Sequence, residues 1–176
     1  MSLNSPRGVK RETGTVGERG VRVNEIMEFT SEVHDALSGL VFGEEIGRGA
    51  FRIVYDYPLD DSLVIKGAFC HRGIASNFKE KAIWEEVSMR EDIAKWLAPV
   101  MGMSHNGRYL IMKKARMSED TSEFPKKVPH FFTDLKYQNY GFIGKQLVCV
   151  DYGSFVATNG MTQRMVNGDW WGAEMF

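Results

Sequence analysis

The chain has 176 residues, of which 43% are hydrophobic and 12% aromatic, and its formal net charge at pH 7 is −1. This length and composition suit one compact domain and argue against global disorder, while the near-zero charge argues against a nucleic-acid-binding protein. Apolar runs too short for a membrane span, and an N-terminus without the apolar core of a secretory signal, predict a cytoplasmic protein that does not bind a membrane.

The first 22 residues differ in composition from the rest of the chain. They contain five Lys or Arg residues, two Glu residues and hardly any large apolar side chains. Such a segment buries too little surface to offset the entropy lost on ordering. We therefore predict a flexible basic tail, 1–22, followed by a single domain, 23–176.

The first periodic segment of this domain predicts an amphipathic helix. Its apolar residues recur at helical spacing: Ile26, Phe29, Val33 and Leu37. Asn24 is a suitable N-cap for this helix, and Gly39 is a suitable residue to end it.

The next segment is typical of strands. Three stretches are rich in β-branched and aromatic residues: Phe42–Ile46, Arg52–Tyr57 and Leu63–Ala68. Glycines separate the first two stretches, and a Pro-Leu-Asp-Asp turn at 58–61 separates the second from the third. This pattern predicts an antiparallel meander.

A long helix and a short strand are predicted to follow the meander. The apolar residues between Asn77 and Leu97 recur at helical spacing, beginning with Phe78 and Ala82. Asn77 is a suitable cap for this helix, and Pro99 a suitable terminator. Tyr109–Met112 is a short apolar strand.

The last third of the chain predicts little regular structure. Residues 113–130 are charged and contain two prolines, so we predict mostly loop. Phe142–Ile143 and Leu147–Val150 flank a Gly-Lys pair, which predicts a hairpin. The segment after this hairpin contains the adjacent Trp170 and Trp171. Neighbouring side chains of an extended segment point to opposite faces, so we expect one of these rings to stay exposed in the isolated chain. The plainer alternative is a helical or irregular tail that buries both rings within the monomer.

Candidate phosphate-binding residues lie in the predicted meander. Gly47 and Gly49 lie between its first two strands, and glycines there let the backbone come close to phosphates. Lys66 follows on the third strand, where it can place a positive charge on the same groups. Each feature has a plainer interpretation, a simple hairpin turn for the glycines and a lysine reaching water for Lys66.

A second group of candidates lies in the last third of the chain, as Asp134-Leu135-Lys136-Tyr137-Gln138-Asn139 and Asp151-Tyr152-Gly153. Phosphoryl transfer requires positioning and charge neutralisation more than covalent chemistry. Asn139 and Asp151 can supply oxygen ligands to magnesium. Asp134 can orient and deprotonate an acceptor hydroxyl, and Lys136 can neutralise the transferred group.

Together these segments resemble the protein-kinase signature of glycine-rich loop, strand lysine, Asp-Leu-Lys-x-x-Asn loop and Asp-x-Gly motif. With Asn77-x-x-Glu80-x-x-x-Trp84, they are more similar to small kinase-like proteins of phages and bacteria than to eukaryotic kinases. The resemblance covers about residues 40–153. It implies a kinase-like α+β fold, with an antiparallel-sheet N-lobe and one long helix at about 40–112. A minimal C-lobe would follow at about 113–176.

The resemblance also implies ligands and residue roles. The ligands are ATP and Mg²⁺, and Glu80 would pair with Lys66 and hold it against the phosphates. Met112–Ala115 would be the linker between the lobes, whose backbone meets the adenine. Glu85 and Glu86 are alternatives for this glutamate, and a surface Glu–Lys pair is the plainer interpretation of Glu80.

Three features depart from the signature. Arg52 stands where the third glycine of the loop is usual, so that an arginine side chain, in place of a closely approaching backbone, can touch phosphate there. Phe132-Thr133 replaces the usual His-Arg before the catalytic aspartate. The chain after Gly153 has no room for the helices that shape a peptide groove. The nucleotide site is thus expected to be present, and the substrate platform to be missing.

Two functions fit this pattern. One is an ATP- and magnesium-dependent phosphotransferase acting on a protein or small-molecule hydroxyl, with Asp134 as its base. The other is a catalytically weak or inactive pseudokinase-type module that binds nucleotide and docks on another protein. Transfer of a nucleotidyl group uses much the same ligands and stays open. Expected partners are ATP, an acceptor, and a second copy or a target protein that covers the exposed tryptophan.

Overall fold

The computed structural model describes residues 38–155 and 158–172. The chain divides into two units, Met1–Gly39 and Leu40–Phe176. The predicted basic tail and the predicted helix at Ile26–Leu37 lie outside the described residues, so the boundary at residue 22 stays a prediction. Gly39, the predicted end of that helix, is itself helical.

The main element of the second unit is a five-stranded antiparallel sheet, and the described fold is mixed α+β. Its strands are β1 (Glu45–Arg48), β2 (Arg52–Asp56), β3 (Leu63–Ala68), β4 (Val100–Met103) and β5 (Tyr109–Lys113), in the order β1-β2-β3-β5-β4. The predicted meander is confirmed by the antiparallel pairing of β1 with β2 and of β2 with β3. Edge strand β4 was not predicted, and it pairs with β5.

The predicted long helix is wrong in its bounds. The structure has two helices there, α1 (His71–Val87) and α2 (Glu91–Ala94). Asn77 is no cap, because the N-cap of α1 is Cys70. The Asn77 side chain is buried and donates hydrogen bonds to the carbonyl oxygens of Gly107 (2.9 Å) and Arg108 (3.3 Å).

The buried face of α1 also differs from the predicted apolar stripe. Its buried residues are Gly73, Asn77, Glu80, Ile83 and Val87. Phe78, expected on this face, is 45% exposed, and Ala82 is exposed as well. The N-terminal half of the buried face is polar or small, so apolar periodicity alone cannot find it.

Gly73 explains how α1 comes close to the sheet. A Cβ atom at this position would lie 2.3 Å from the carbonyl oxygen of Phe51, which is far inside van der Waals contact. Without a side chain, the first turns of α1 pack directly on the start of β2. This brings Glu80, further along the same face, over the sheet.

The C-terminal part contains two small sheets in place of long helices. β7 (Tyr140–Ile143) pairs with β8 (Gln146–Cys149), and β6 (Lys127–Pro129) pairs with β9 (Met165–Asn167). The predicted hairpin is confirmed, and Gly144 adopts a φ of +62° at its turn. Residues 113–130 are mostly loop as predicted, apart from β6 and a short 3-10 turn, Thr121–Glu123.

Backbone hydrogen bonds join β8 to the segment after α2. The Ala98 amide donates to the Cys149 carbonyl (2.9 Å), and the Cys149 amide donates to the Trp96 carbonyl (2.8 Å). The fully buried Tyr152 donates its hydroxyl to the carbonyl of Ala98 (2.9 Å). These contacts fix both flanks of Asp151 against the first half of the unit.

No helix in the described stretches 38–155 and 158–172 combines the length and apolar character needed to cross a membrane.

Candidate functional site

A buried ion pair joins the sheet to α1. The Nζ atom of Lys66 in β3 lies 3.0 Å from each carboxylate oxygen of Glu80. The Glu80 side chain is fully buried, and Lys66 is 5% exposed. The pairing implied by the kinase resemblance is therefore present. The alternative glutamates lie elsewhere, with Glu85 paired to Lys81 and Glu86 exposed.

The glycine segment lies beside this lysine in the sheet. Gly47 in β1 is opposite Val54 in β2, and Val54 is opposite Lys66 in β3. Two strand spacings separate Gly47 from Lys66, or about 10 Å. Gly49 lies in the turn between β1 and β2, where its amide donates to the Arg52 carbonyl (2.9 Å). The role of these glycines in phosphate binding stays a prediction.

Met112 lies inside the sheet. Within β5 it is opposite Val64 of β3 on one side and Val100 of β4 on the other, and its side chain is 1% exposed. The segment that leaves the sheet begins at Lys114. Two residues later, Arg116 forms two backbone hydrogen bonds of 2.9 Å with Phe142 of β7. A backbone contact with adenine at this position stays a prediction.

Arg52 is the residue whose role the sequence did not reveal. It begins β2, is 9% exposed, and places its guanidinium between α1 and Asp151. One nitrogen lies 2.9 Å from Glu80 Oε2, and the other donates to Asp151 Oδ1 at 2.7 Å. A further hydrogen bond joins the guanidinium to Asn77 Oδ1 at 3.1 Å. The sequence suggested only that an arginine here can touch phosphate.

The ion pairs described above form one cluster with two cationic side chains, Lys66 and Arg52, and two carboxylates, Glu80 and Asp151. Burial by itself raises the pKa of Asp151, but the charges of Lys66 and Arg52 outweigh burial and hold this pKa below its usual range. Burial likewise opposes the charge on Arg52, yet Glu80 and Asp151 raise its pKa. Arg52 and Asp151 are therefore charged near neutral pH. The Asp151 side chain is 49% exposed, so this carboxylate is the face of the cluster that solvent reaches.

Asp134 and Asn139 meet in the loop before β7. The Asn139 side-chain amide donates to Asp134 Oδ2 at 2.9 Å, because a 3-10 turn at Tyr137–Asn139 brings the two residues together. The Val150 amide donates to the Asn139 carbonyl at 2.8 Å, continuing the β7–β8 ladder. Asn139 is therefore opposite the residue that precedes Asp151. Val150 also contributes its carbonyl, which accepts a hydrogen bond from Lys66.

Lys136 lies under a tryptophan. Its Nζ atom is 5.7 Å from the centroid of the Trp171 ring, a cation–π distance. The Trp171 amide donates to the Leu135 carbonyl, and the Tyr137 amide donates to the Trp171 carbonyl, both at 3.1 Å. The Gln138 side chain also donates a hydrogen bond to the Gly172 carbonyl at 3.1 Å. Residues 171–172 thus run along the 135–138 loop.

The two tryptophans have different surroundings. Trp170 packs among aromatic rings and donates to the Pro125 carbonyl at 2.9 Å, whereas Trp171 is 52% exposed. The expectation that one of the two rings remains exposed is confirmed. What covers Trp171 in an assembly stays a prediction.

The residues present fit a magnesium ion chemically. Magnesium prefers oxygen ligands and keeps several waters, so one or two protein groups and a substrate phosphate suffice. Asp151 supplies a half-exposed carboxylate, and the amide oxygen of Asn139 is a second donor of the preferred type. No three His, Cys, Asp or Glu side chains cluster as a metal site within residues 38–155 and 158–172. One existing contact, from Arg52 to Asp151, lies in the way of a metal ion.

The lowered pKa of Asp151 predicts a loss of stability in acid. The charged carboxylate stabilises the fold fully above its usual pKa of about 3.9, and this contribution is lost as the pH falls through the lower folded-state pKa. We expect the difference in unfolding free energy between wild type and D151N to be constant above about pH 5 and to shrink below it. Urea unfolding at a series of pH values measures this difference. A difference unchanged down to about pH 2 would contradict the assignment of the charge.

No protein-family model matches this chain, and no curated protein matches its sequence. No family is therefore shown for this chain, and the resemblance to kinases stays a prediction from its motifs.

Proposed function

We propose that this chain is a small kinase-like phosphotransferase that binds ATP with magnesium and transfers a phosphoryl group to a hydroxyl of a protein or small molecule. The observation that carries the proposal is the buried Lys66–Glu80 pair, with Lys66 also contacting the backbone next to Asp151. Asp134 and Asn139 come from another segment and join the same region through Val150. These contacts between residues far apart in the sequence support the proposal, because phosphoryl transfer depends on positioning and charge neutralisation.

Each side chain then has a distinct role. Lys66, oriented by Glu80, binds phosphate oxygens, and Asp151 with Asn139 holds the magnesium ion. That ion, when bound, neutralises charge that develops on the phosphates. Asp134 accepts the proton of the acceptor hydroxyl. As this proton leaves, the hydroxyl oxygen bonds to the terminal phosphorus of ATP, and the bond from that phosphorus to ADP breaks. The hydrogen bond from Asn139 keeps the Asp134 carboxylate in a fixed orientation.

The energetic cost of the cluster supports an active role. Burying ions costs several kcal/mol each before their attraction is counted, and a hydrophobic replacement of similar volume is often as stable. A protein that used this fold only as a scaffold would have no need of a buried Glu80 with two cations. The docking-module alternative is favoured by one observation, the Arg52–Asp151 pair, which occupies an oxygen that the metal would use.

The test combines nucleotide binding with phosphate transfer. We expect ATP with magnesium to raise the melting temperature of wild type, and radiolabelled ATP to be consumed in the presence of cell extract. D134N should bind ATP as wild type does but lose transfer by at least about 100-fold. D61N, which removes an exposed carboxylate in the turn before β3, serves as the control and should bind ATP and transfer phosphate as wild type does.

Each result separates the two functions. Absence of nucleotide binding to wild type would refute the phosphotransferase. Binding without any ATP consumption would favour the docking module instead. Equal transfer by D134N and wild type would remove Asp134 from the role of base.

A further inference from the structure

The Arg52–Asp151 contact has an unusual position for a salt bridge. It joins the first residue of β2 to the carboxylate that the proposed function gives to magnesium. The guanidinium nitrogen and Asp151 Oδ1 are 2.7 Å apart, the distance of a charge-assisted hydrogen bond. Arg52 is 9% exposed, so it is anchored in the protein, while the carboxylate that it holds is open to solvent.

A metal ion and the Arg52 guanidinium that bind the Asp151 carboxylate together repel each other electrostatically. Magnesium binds carboxylate oxygens at about 2.0–2.1 Å. Two cations on the same oxygen would then be at most about 5 Å apart, where their repulsion is strong because the surroundings are partly buried. Metal binding at Oδ1 therefore opposes the Arg52 contact, and binding at Oδ2 would still bring the two cations to one carboxylate, so each weakens the binding of the other.

Arg52 has other contacts that remain when it releases Asp151. Its guanidinium keeps Glu80 at 2.9 Å and the side-chain oxygen of Asn77 at 3.1 Å. Glu80 is fully buried and binds Lys66 as well. The guanidinium thus has a second resting place within the cluster and need not be expelled into solvent.

We propose that Arg52 is a metal-competing latch, a guanidinium that occupies Asp151 in the free protein and is displaced when the metal binds. The proposal rests on the proposed function, since it assigns the metal to Asp151. Because the latch weakens binding of the free metal ion, the ion enters mainly together with phosphates, which contribute further ligands. Arg52 is in this sense a positioning residue that sets the order of binding.

The direct test measures metal binding without nucleotide. Mn²⁺ replaces Mg²⁺, and the free ion is counted by electron paramagnetic resonance during titration of wild type, R52Q and R48Q. We expect R52Q to bind Mn²⁺ about tenfold more tightly than wild type, a coupling of ordinary size for two linked sites. R48Q removes the same charge from the same hairpin, but Arg48 is exposed and contacts Glu45 (2.8 Å), so its affinity should equal that of wild type.

A second measurement uses wild type and is independent of whether R52Q folds. The side-chain NH signals of Arg52, identified by their loss in R52K, report exchange with water in ¹⁵N NMR spectra. We expect this exchange to accelerate when Mg²⁺ and a non-hydrolysable ATP analogue are added, because the hydrogen bond to Asp151 is broken. Unchanged Arg52 signals in the presence of bound metal would overturn the latch.

The outcomes separate the latch from the proposed function. Equal Mn²⁺ affinity of wild type and folded R52Q, or tighter binding by R48Q as well, overturns the latch while ATP binding stands. If R52Q binds Mn²⁺ more tightly but no variant binds nucleotide, the latch is supported and the phosphotransferase is refuted. Failure of folded R52Q to bind Mn²⁺ at all overturns the latch.

Discussion

Replacement of Glu80 by glutamine is expected to lower the free energy of unfolding by about 3 kcal/mol. Glu80 is fully buried and is the shared partner of Lys66 and Arg52. E80Q keeps the shape of the side chain but leaves two buried cations with one fewer negative charge. Urea unfolding followed by circular dichroism gives the difference from wild type.

The matched control for this prediction is E85Q on the same helix. Glu85 is exposed and pairs with Lys81 at the surface, so its loss should change stability by less than about 0.5 kcal/mol. If E80Q were as stable as E85Q, the cluster would not hold α1 on the sheet. ATP binding should disappear in E80Q alone, since Lys66 then loses the group that orients it.

Truncation of Trp170 to alanine should also be strongly destabilising, by about 3 kcal/mol. The Trp170 ring stacks on the Tyr137 ring, with centroids 5.5 Å apart. It forms T-shaped contacts with Phe124 and Tyr140, at centroid distances of 4.9 and 5.0 Å. Its indole nitrogen donates to the Pro125 carbonyl. W170A therefore opens a cavity in the C-terminal core and leaves an acceptor without its donor, which thermal unfolding measures.

The neighbouring W171A is the control. Because Trp171 is 52% exposed, its truncation should cost less than about 1 kcal/mol in the monomer. Light scattering on the same samples tests the expected partner surface. Dissociation of an oligomer by W171A, without loss of monomer stability, would support self-association. A wild type that remains monomeric at high concentration would leave only a foreign partner.

The sheet was largely predictable, and the helix was not. β-branched runs and turn residues determined β2 and β3 to within a residue, because hydrophobic side chains and local turns carry that information. The stripe of α1 was misassigned because Asn77 and Glu80 are buried by pairing, which no hydropathy pattern records. Strand β4 was missed because Val100–Met103 is a four-residue segment that contains a glycine and shows no alternation of apolar and polar residues.

The site was predictable where it follows a motif. The Lys66–Glu80 pair was implied by the resemblance to the kinase signature, with Glu85 and Glu86 as alternatives. The contact of Arg52 with Asp151 joins residues 99 positions apart and depends on the packing of α1. Sequence marked Arg52 only as an unexpected residue in a glycine loop. The arginine at position 52 is a signal that could have been followed further, because it replaces a small residue and the carboxylates of Glu80 and Asp151 were predicted for the same site.

The pairing of Trp171 with Leu135 and Tyr137 has a consequence for biosynthesis. A chain emerging from the ribosome completes the sheet and α1 long before residues 165–172 leave the exit tunnel, since N-terminal parts fold first during translation. Until then the 134–139 loop lacks the backbone partners that Trp171 supplies. The proposed catalytic loop would thus take its final form only after Trp171 has emerged, so a nascent chain passes through a stage in which the sheet and α1 are complete and this loop is not.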